Sequence, residues 1–370
     1  MLPARHWTWR MRTAALGLVE RVVDEDPDLL FVSDFLNLAE LRALLPPGRR
    51  DLPAVLYLHE NQLTYPLRAG QRRDVHHGLT NLHAALAAER VLFNSAYHRD
   101  GFLAAAADLL GRAPDLDLTW APGAVAARSD VLPLGCDLGP GAPRALGADE
   151  PPVLAWTHRW EYDKAPERLL ALTRELVARG VDHRLLLLGE RFRDVPAALV
   201  ALEDEGADRI VHSGFAPSRA AYLELLDGAH LAVSTARHEF FGLATLEALR
   251  RGLLPVLPDD LAYPELLPEA HREAPWLYPR EAEGEPASLT APGGANAPPT
   301  RRRPGGGTVA GESGSSSDPG GVLAAADAVE AATARLRAGT APDLVSPTLA
   351  LAWDRLAPRY DAVLEAAAGA

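Results

Sequence analysis

Short apolar runs recur along the chain, separated by longer segments of helical period. The first series is "LLFV" (29–32), "AVLYL" (54–58), "RVLF" (90–93) and "VLPLG" (131–135). The second is "VLAWT" (153–157), "RLLLLG" (184–189), "RIVHSG" (209–214), "LAVST" (231–235) and "LLPVLP" (253–258). Runs this apolar fit strands covered on both faces, and their alternation with helices predicts parallel sheets in an α/β fold. The Gly- and Pro-rich "DLGPGAPRALGADEPP" (137–152) reads as a linker, so two doubly wound domains are expected, residues 1–140 and 151–280. Residues 281–321 lack periodic apolar positions and cannot offset their chain entropy by burial, which predicts a disordered insertion. Helical period returns in "VLAAADAVEAATARLRAG" and "PTLALAWDRLAPRYDAVLEAA", so residues 322–370 are expected to complete the fold as helices.

Composition narrows the class. With 370 residues, 48% of them hydrophobic, the chain is long enough for two cores. A net charge of −13 argues against a broad non-specific nucleic-acid surface but allows a local basic patch. The single cysteine, Cys136, excludes an internal disulfide framework and fits a reducing compartment. Arginines interrupt "MLPARHWTWRMRTAALGLVE", and no run reaches membrane-spanning length, so a cytoplasmic protein without a membrane partner is expected. Arg301, Arg302 and Arg303 read as part of a solvated tether rather than a phosphate site.

Candidate chemistry starts with "HEFFGLATLE" (238–247), an otherwise apolar stretch carrying Glu239 and Glu247. The flanking pattern puts Glu239 in a loop after a strand's carboxyl end and Glu247 about two turns into the next helix, which Gly252 closes. Open α/β sheets bind ligands at such loops, and Gly242 would let backbone N–H groups approach an anion there. On spacing alone the plainer reading, a loop acid and a solvated helix residue, is preferred. A second cluster changes that balance. "VLAWTHRWEYDKAPERLLAL" places Arg159 and Lys164 after the strand that opens the second domain, before a helix that Pro166 helps to start. Two cations at a strand's carboxyl end can hold a diphosphate and stabilise it as a leaving group without a metal. Asp-x-Asp words occur at Asp24/Asp26, Asp26/Asp28 and Asp115/Asp117, but Pro27 and Pro114 mark them as turns. His76 and His83 lack a third partner, so no metal is assigned.

In order, "RWEYDK" (159–164), "LLLLGE" (185–190), "EFFGLATLE" (239–247) and "GLLPV" (252–256) resemble the retaining glycosyltransferases of family 4. The resemblance implies the GT-B fold, two Rossmann-like domains facing a cleft. It further implies that Arg159 and Lys164 bind the donor diphosphate, Glu239 faces the donor sugar and Glu247 holds the nucleoside ribose. The same words bring Gly189, Glu190, Phe241 and Gly242 to the donor site. "LPARHWTWRMRTAAL" (2–16), "SDFLNLAELRALLP" (33–46), "LYLHENQLTYP" (56–66) and "VLFNSAYHRDGFL" (91–103) resemble, more narrowly, the tRNA-queuosine mannosyltransferases. Members of that family transfer mannose from GDP-mannose to the cyclopentene diol of queuosine in the anticodon loop of a tRNA for aspartate. The resemblance therefore implies a hexosyltransferase with tRNA and a nucleotide sugar as partners and no cofactor. Retention without a protein nucleophile requires an oxocarbenium-like transition state in which the leaving diphosphate takes the acceptor proton. In the wider superfamily a histidine placed like His59 contacts the donor sugar; the alternative is a loop histidine bonded to Asn61 or Glu60. Family members begin with a strand, a glycine-rich turn and a helix before the "LPA-x-x-W-x-W-R" word on which this chain starts. Either the start is assigned too late or the first domain is open and inactive; an upstream in-frame extension is expected, since the first sheet would otherwise keep an unpaired face and edge.

The acceptor falls to the first domain. Trp7 and Trp9 could stack on bases while Arg5 and Arg10 meet phosphates, although alternating tryptophans equally describe a half-buried strand. Asn61, Gln62 and Asn94 are assigned to the same side, with Asn94 and Ser95 alternatively an N-cap. Arg72, Arg73, His76 and His77 form a small basic patch or a solvated helix end. Two other functions stay open: a family 4 enzyme with a lipid, polysaccharide or other small acceptor, and a non-catalytic tRNA- or nucleotide-binding remnant.

Overall fold

The computed structural model describes residues 7–68, 70–280 and 319–369. The expected insertion (281–321) and Arg5 lie largely or wholly outside the described residues. Four parallel strands make the first sheet in sequence order: β1 (Leu30–Ser33), β2 (Ala54–Leu58), β3 (Arg90–Phe93) and β4 (Ser129–Val131). Helices α1 (Trp7–Glu25), α2 (Leu38–Leu44), α3 (Val75–Ala87), α4 (Ala96–Leu110) and α5 (Trp120–Ala126) surround it. Every residue of β2 is buried, as an apolar run covered on both faces requires. β4 ends two residues before Pro133, which has no N–H for a ladder, so the run expected at 131–135 contributes only its first residue to the strand.

The second sheet holds β5 (Val153–Trp156), β6 (Arg184–Leu188), β7 (Ile210–Gly214), β8 (Leu231–Val233), β9 (Leu254–Pro258) and β10 (Leu277–Tyr278). All are parallel, in the order β10-β9-β8-β5-β6-β7. The order reverses between β8 and β5, and a crevice opens at the carboxyl ends of strands flanking such a reversal. Around it lie α6 (Pro166–Ala178), α7 (Ala197–Glu205), α8 (Arg219–Asp227) and α9 (Leu243–Arg250).

The two carboxy-terminal helices part company. α10 (Pro319–Ala338) packs on α6, β9 and β10, adding Val329, Ala332 and Leu336 to the second domain's core. α11 (Trp353–Ala368) crosses back, and its Leu356, Tyr360 and Ala367 form a cluster with Val55, Tyr57 and Leu92 of the first sheet. The crossing is tied at Cys136, whose N–H reaches the Leu351 carbonyl at 3.0 Å and whose carbonyl accepts from Trp353 N at 2.9 Å.

The amino-terminal tryptophans are helical, which corrects the strand alternative. Met11, Ala14 and Ala15 are buried at i, i+3 and i+4, so α1 packs by helical period and leaves Trp7 and Trp9 on its exposed first turn. Among the described residues no helix is long and apolar enough to cross a membrane.

Candidate active site

The carboxyl ends of β2 and β3 face those of β5 and β8 across a cavity of about 190 Å³. His59, Glu60 and Asn94 form one wall; Arg159, Lys164 and Glu239 form the other. The topology explains the second wall. The loop after β5 carries both cations and the loop after β8 carries Glu239, so strands adjacent at the sheet reversal bring together residues 75 positions apart.

The β5 loop is held from below. A Cβ on Gly189 would stand 1.8 Å from the His158 carbonyl oxygen, so only glycine lets the end of β6 pass this close. The neighbouring Glu190 carbonyl accepts the N–H of buried Trp160 at 3.1 Å. Gly189 and Glu190 thus brace the loop through backbone; the Glu190 side chain is exposed and does not line the cavity. His158 Nε2 meets Ser234 Oγ at 2.9 Å, and Ser234 meets the Tyr263 hydroxyl at 2.6 Å. Burial holds this imidazole well below its ordinary pKa, with Lys164 and Arg159 adding to the effect. A short 3-10 turn, Tyr162–Lys164, leads through Ala165 at φ 47° into α6, whose first residue is Pro166.

Lys164 is buried. Its Nζ donates to the His238 carbonyl at 2.8 Å and lies 3.3 Å from both Glu239 Oε2 and Asp163 Oδ2. Arg159 is half exposed, 3.3 Å from Glu161, and lines the cavity. The Glu239 carboxylate also accepts from Gly242 N at 3.1 Å and from Phe241 N at 3.4 Å. With Gly242 at φ 90°, those N–H groups turn towards Glu239, so the anion at the start of α9 is the protein's own side chain. Phe241 and Gly242 line the cavity; Glu247 does not. Glu247 is paired at 2.7 Å with Arg219 of α8, whose guanidinium stacks over Tyr222. The loop after β8 and the helix that follows it thus carry the two acids to different places.

On the first domain's wall, His59 Nδ1 lies 3.2 Å from Asp34 Oδ1, and the same oxygen accepts the His59 N–H at 3.1 Å. The histidine's partner is therefore Asp34, buried at the end of β1, and neither Asn61 nor Glu60. Asn94 donates to the His59 carbonyl at 2.9 Å and holds His98 Nδ1 at 2.8 Å. Asn61 is wholly buried, with Oδ1 accepting from Leu63 N and Thr64 N, so it shapes its own loop instead of facing the cavity. Gln62 Nε2 donates to Glu60 Oε1 at 2.9 Å. Burial, then Asp34, raise the Glu60 pKa to about 7 against the opposing pull of Arg159. Sequence reasoning missed Asp34, Glu60 and Asp163. The signal for the first two was an acid directly behind an apolar strand run, in "FVSD" and "YLHE".

The outer acceptor residues are dispersed. Trp7 packs against His77 and Phe35, next to Asp34, while Trp9 is 67% exposed. Arg73 is a brace, donating to the Gln62 and Tyr65 carbonyls at 2.8 Å each, and His77 is buried, so neither adds to a solvated basic patch. Ser95 caps α4, as the N-cap alternative expects, and its Oγ donates to the Phe240 carbonyl of the other domain at 2.6 Å; it does not line the cavity. Among the described residues no three His, Cys, Asp or Glu side chains group as metal ligands. Asp117, from one Asp-x-Asp word, accepts from Thr119 in an exposed turn.

Residues 1–136 match a family model described as tRNA-queuosine alpha-mannosyltransferase N-terminal, and residues 142–281 match glycosyl transferases group 1. The chain is 35% identical over 281 residues to the tRNA-queuosine alpha-mannosyltransferase of Drosophila melanogaster, covering 72% of this chain and 73% of that one. It is 28% identical over 284 residues to a GDP-mannose-dependent alpha-(1-6)-phosphatidylinositol dimannoside mannosyltransferase of Mycobacterium tuberculosis, covering 72% and 67%. In structure it resembles a sucrose-phosphate synthase from Thermosynechococcus elongatus, with TM-score 0.65, 16% identity and coverage of 98% of this chain and 79% of that one.

Proposed function

The chain belongs to the tRNA-queuosine alpha-mannosyltransferase family, and from that premise we propose that it moves mannose from GDP-mannose, with retention, onto queuosine in the anticodon loop of a tRNA for aspartate. It is a hexosyltransferase of the GT-B fold. The observation that carries the finer reading is the convergence of Arg159, Lys164 and Glu239 on one cavity wall, opposite His59.

The donor diphosphate lies against Arg159 and Lys164, whose fixed positive charge stabilises it as it departs without requiring a metal. Glu239, anchored by the start of α9, faces the sugar, and His59, oriented by Asp34, approaches it from the other domain. The sugar–phosphate bond ionises through an oxocarbenium-like transition state, and the acceptor hydroxyl attacks from the face the diphosphate leaves. The hydroxyl's proton passes to the departing diphosphate, so the protein's contribution is positioning and electrostatics. Glu247, on Arg219, marks the ribose end of the donor. The reaction takes place in the cytoplasm, with exposed Trp9 on the acceptor side available for base stacking.

Incubating the protein with labelled GDP-mannose and tRNA, with and without queuosine, tests this. Label should enter only the queuosine-containing tRNA, with the α-anomer in the product, and Glu239→Gln should abolish transfer while sparing the fold. Incorporation that ignores queuosine would sink the tRNA reading. A lipid-linked acceptor is the second reading, favoured by the likeness to the mycobacterial enzyme, and transfer to a phosphatidylinositol mannoside would select it.

A further inference from the structure

Resting on the functional reading above, we propose that Glu60 selects the acceptor: its carboxylate accepts a hydrogen bond from one hydroxyl of a vicinal diol while the neighbouring hydroxyl attacks the sugar.

The polar groups on that wall are unequally committed. Asn94 uses its amide on His59 and His98, and Asn61 turns its amide into its own loop. His59 gives Nδ1 to Asp34. Glu60 lies at the cavity with one oxygen taken by the Gln62 amide, and that bond aims the carboxyl while leaving the second oxygen to accept from a ligand. A carboxylate oxygen accepts and cannot donate, so its natural partner on an uncharged acceptor is a hydroxyl.

Electrostatics locate the partner as well. The charged and titratable groups that act on Glu60 are Asp34 behind β1, its neighbour His59, Tyr65 in the same loop and Arg159 across the cleft. Glu60 and Arg159 line the same cavity from opposite domains, so a hydroxyl bonded to Glu60 faces the wall that carries the cation assigned to the diphosphate. The next hydroxyl of a diol then lies between the two walls, where the anomeric carbon and the departing phosphate oxygen must be. No proton leaves through Glu60 in this arrangement. The attacking oxygen forms its bond to the sugar and yields its proton to the diphosphate, while the hydrogen bond to Glu60 orients its neighbour.

Ionisation adds a signature. With its pKa near 7, Glu60 is about one-tenth ionised at pH 6 and about nine-tenths at pH 8, and a carboxylate accepts more strongly than the neutral acid. The acceptor KM of the wild-type protein should therefore fall severalfold as pH rises from 6 to 8.

The test is steady-state kinetics of wild type, Glu60→Gln and Glu60→Ala, varying queuosine-containing tRNA and GDP-mannose separately. Both variants should raise the acceptor KM about tenfold or more, leave the donor KM within twofold, and lose the pH dependence. An unchanged acceptor KM, or an equal rise in both KM values, overturns the assignment of Glu60 while the functional reading stands. Wild-type protein that transfers nothing to this tRNA overturns that reading and this inference with it. An unchanged donor KM also reports that the variants are folded.

Discussion

Glu265 of the second domain caps a helix of the first: its carboxylate oxygens accept from Tyr97 N and Ala96 N at 2.8 Å each. Helix starts leave N–H groups unpaired and carry partial positive charge, so a carboxylate from the opposing domain is a favourable latch. It acts beside the Ser95–Phe240 bond and the stacking of His98 on Phe240 at 4.0 Å between ring centres. Glu265→Ala should weaken the closed arrangement by about 1–2 kcal/mol, the scale of a charge-assisted hydrogen bond. The expected result is a raised donor KM and a larger radius of gyration in solution scattering, with little change in thermal midpoint. An unchanged radius and KM would show that the latch does not hold the domains.

Lys164 and Asp163 form a buried pair at 3.3 Å. Lys164→Met removes the ammonium and leaves Asp163 in a low-polarity setting, which should cost about 3–5 kcal/mol of stability as well as transfer activity. The double variant Lys164→Met, Asp163→Asn should recover much of the stability and none of the activity. Urea denaturation read beside sugar transfer separates the two effects.

Acid should destabilise this protein through buried histidines. Burial pushes the His98 pKa down to about 3, and His158 and His238 are held well below their ordinary value by the same cause. The unfolded chain binds these protons near pH 6.5 and the folded one does not, so stability is complete above that pH and is lost as pH falls towards 3. Each group contributes a slope of about 1.4 kcal/mol per pH unit. Denaturation midpoints at pH 7.5 and 5 should reveal the fall, and His98→Gln should reduce the slope by about one proton.

Gly189→Ala places a methyl group against the His158 carbonyl, a backbone atom that cannot step aside cheaply. The β5 loop must shift, carrying Arg159 and Lys164 with it. Donor affinity should fall at least tenfold, measured by titration with GDP, while Glu190→Gln, which leaves the backbone bond to Trp160 intact, should change it little.

Periodicity and local chemistry were enough to anticipate two parallel α/β domains and the loops that carry Arg159, Lys164 and Glu239. Strand runs, helix starts and Gly242 act within a few residues of themselves, so their consequences can be read along the chain. Tertiary structure decided the rest. Whether Trp7 and Trp9 belong to a strand or a helix depended on which face α1 buries, a choice made by its neighbours. Asp34, not an adjacent residue, became the partner of His59 because β1 and β2 lie side by side, and Glu265 reached α4 across the cleft. Glu239 and Glu247, eight positions apart on what looks like one motif, have different surroundings: the first lies in the loop at the cavity, and the second lies within α9 and pairs with Arg219 of α8. Such pairings join positions far apart in sequence, and only packing in three dimensions sets their distances.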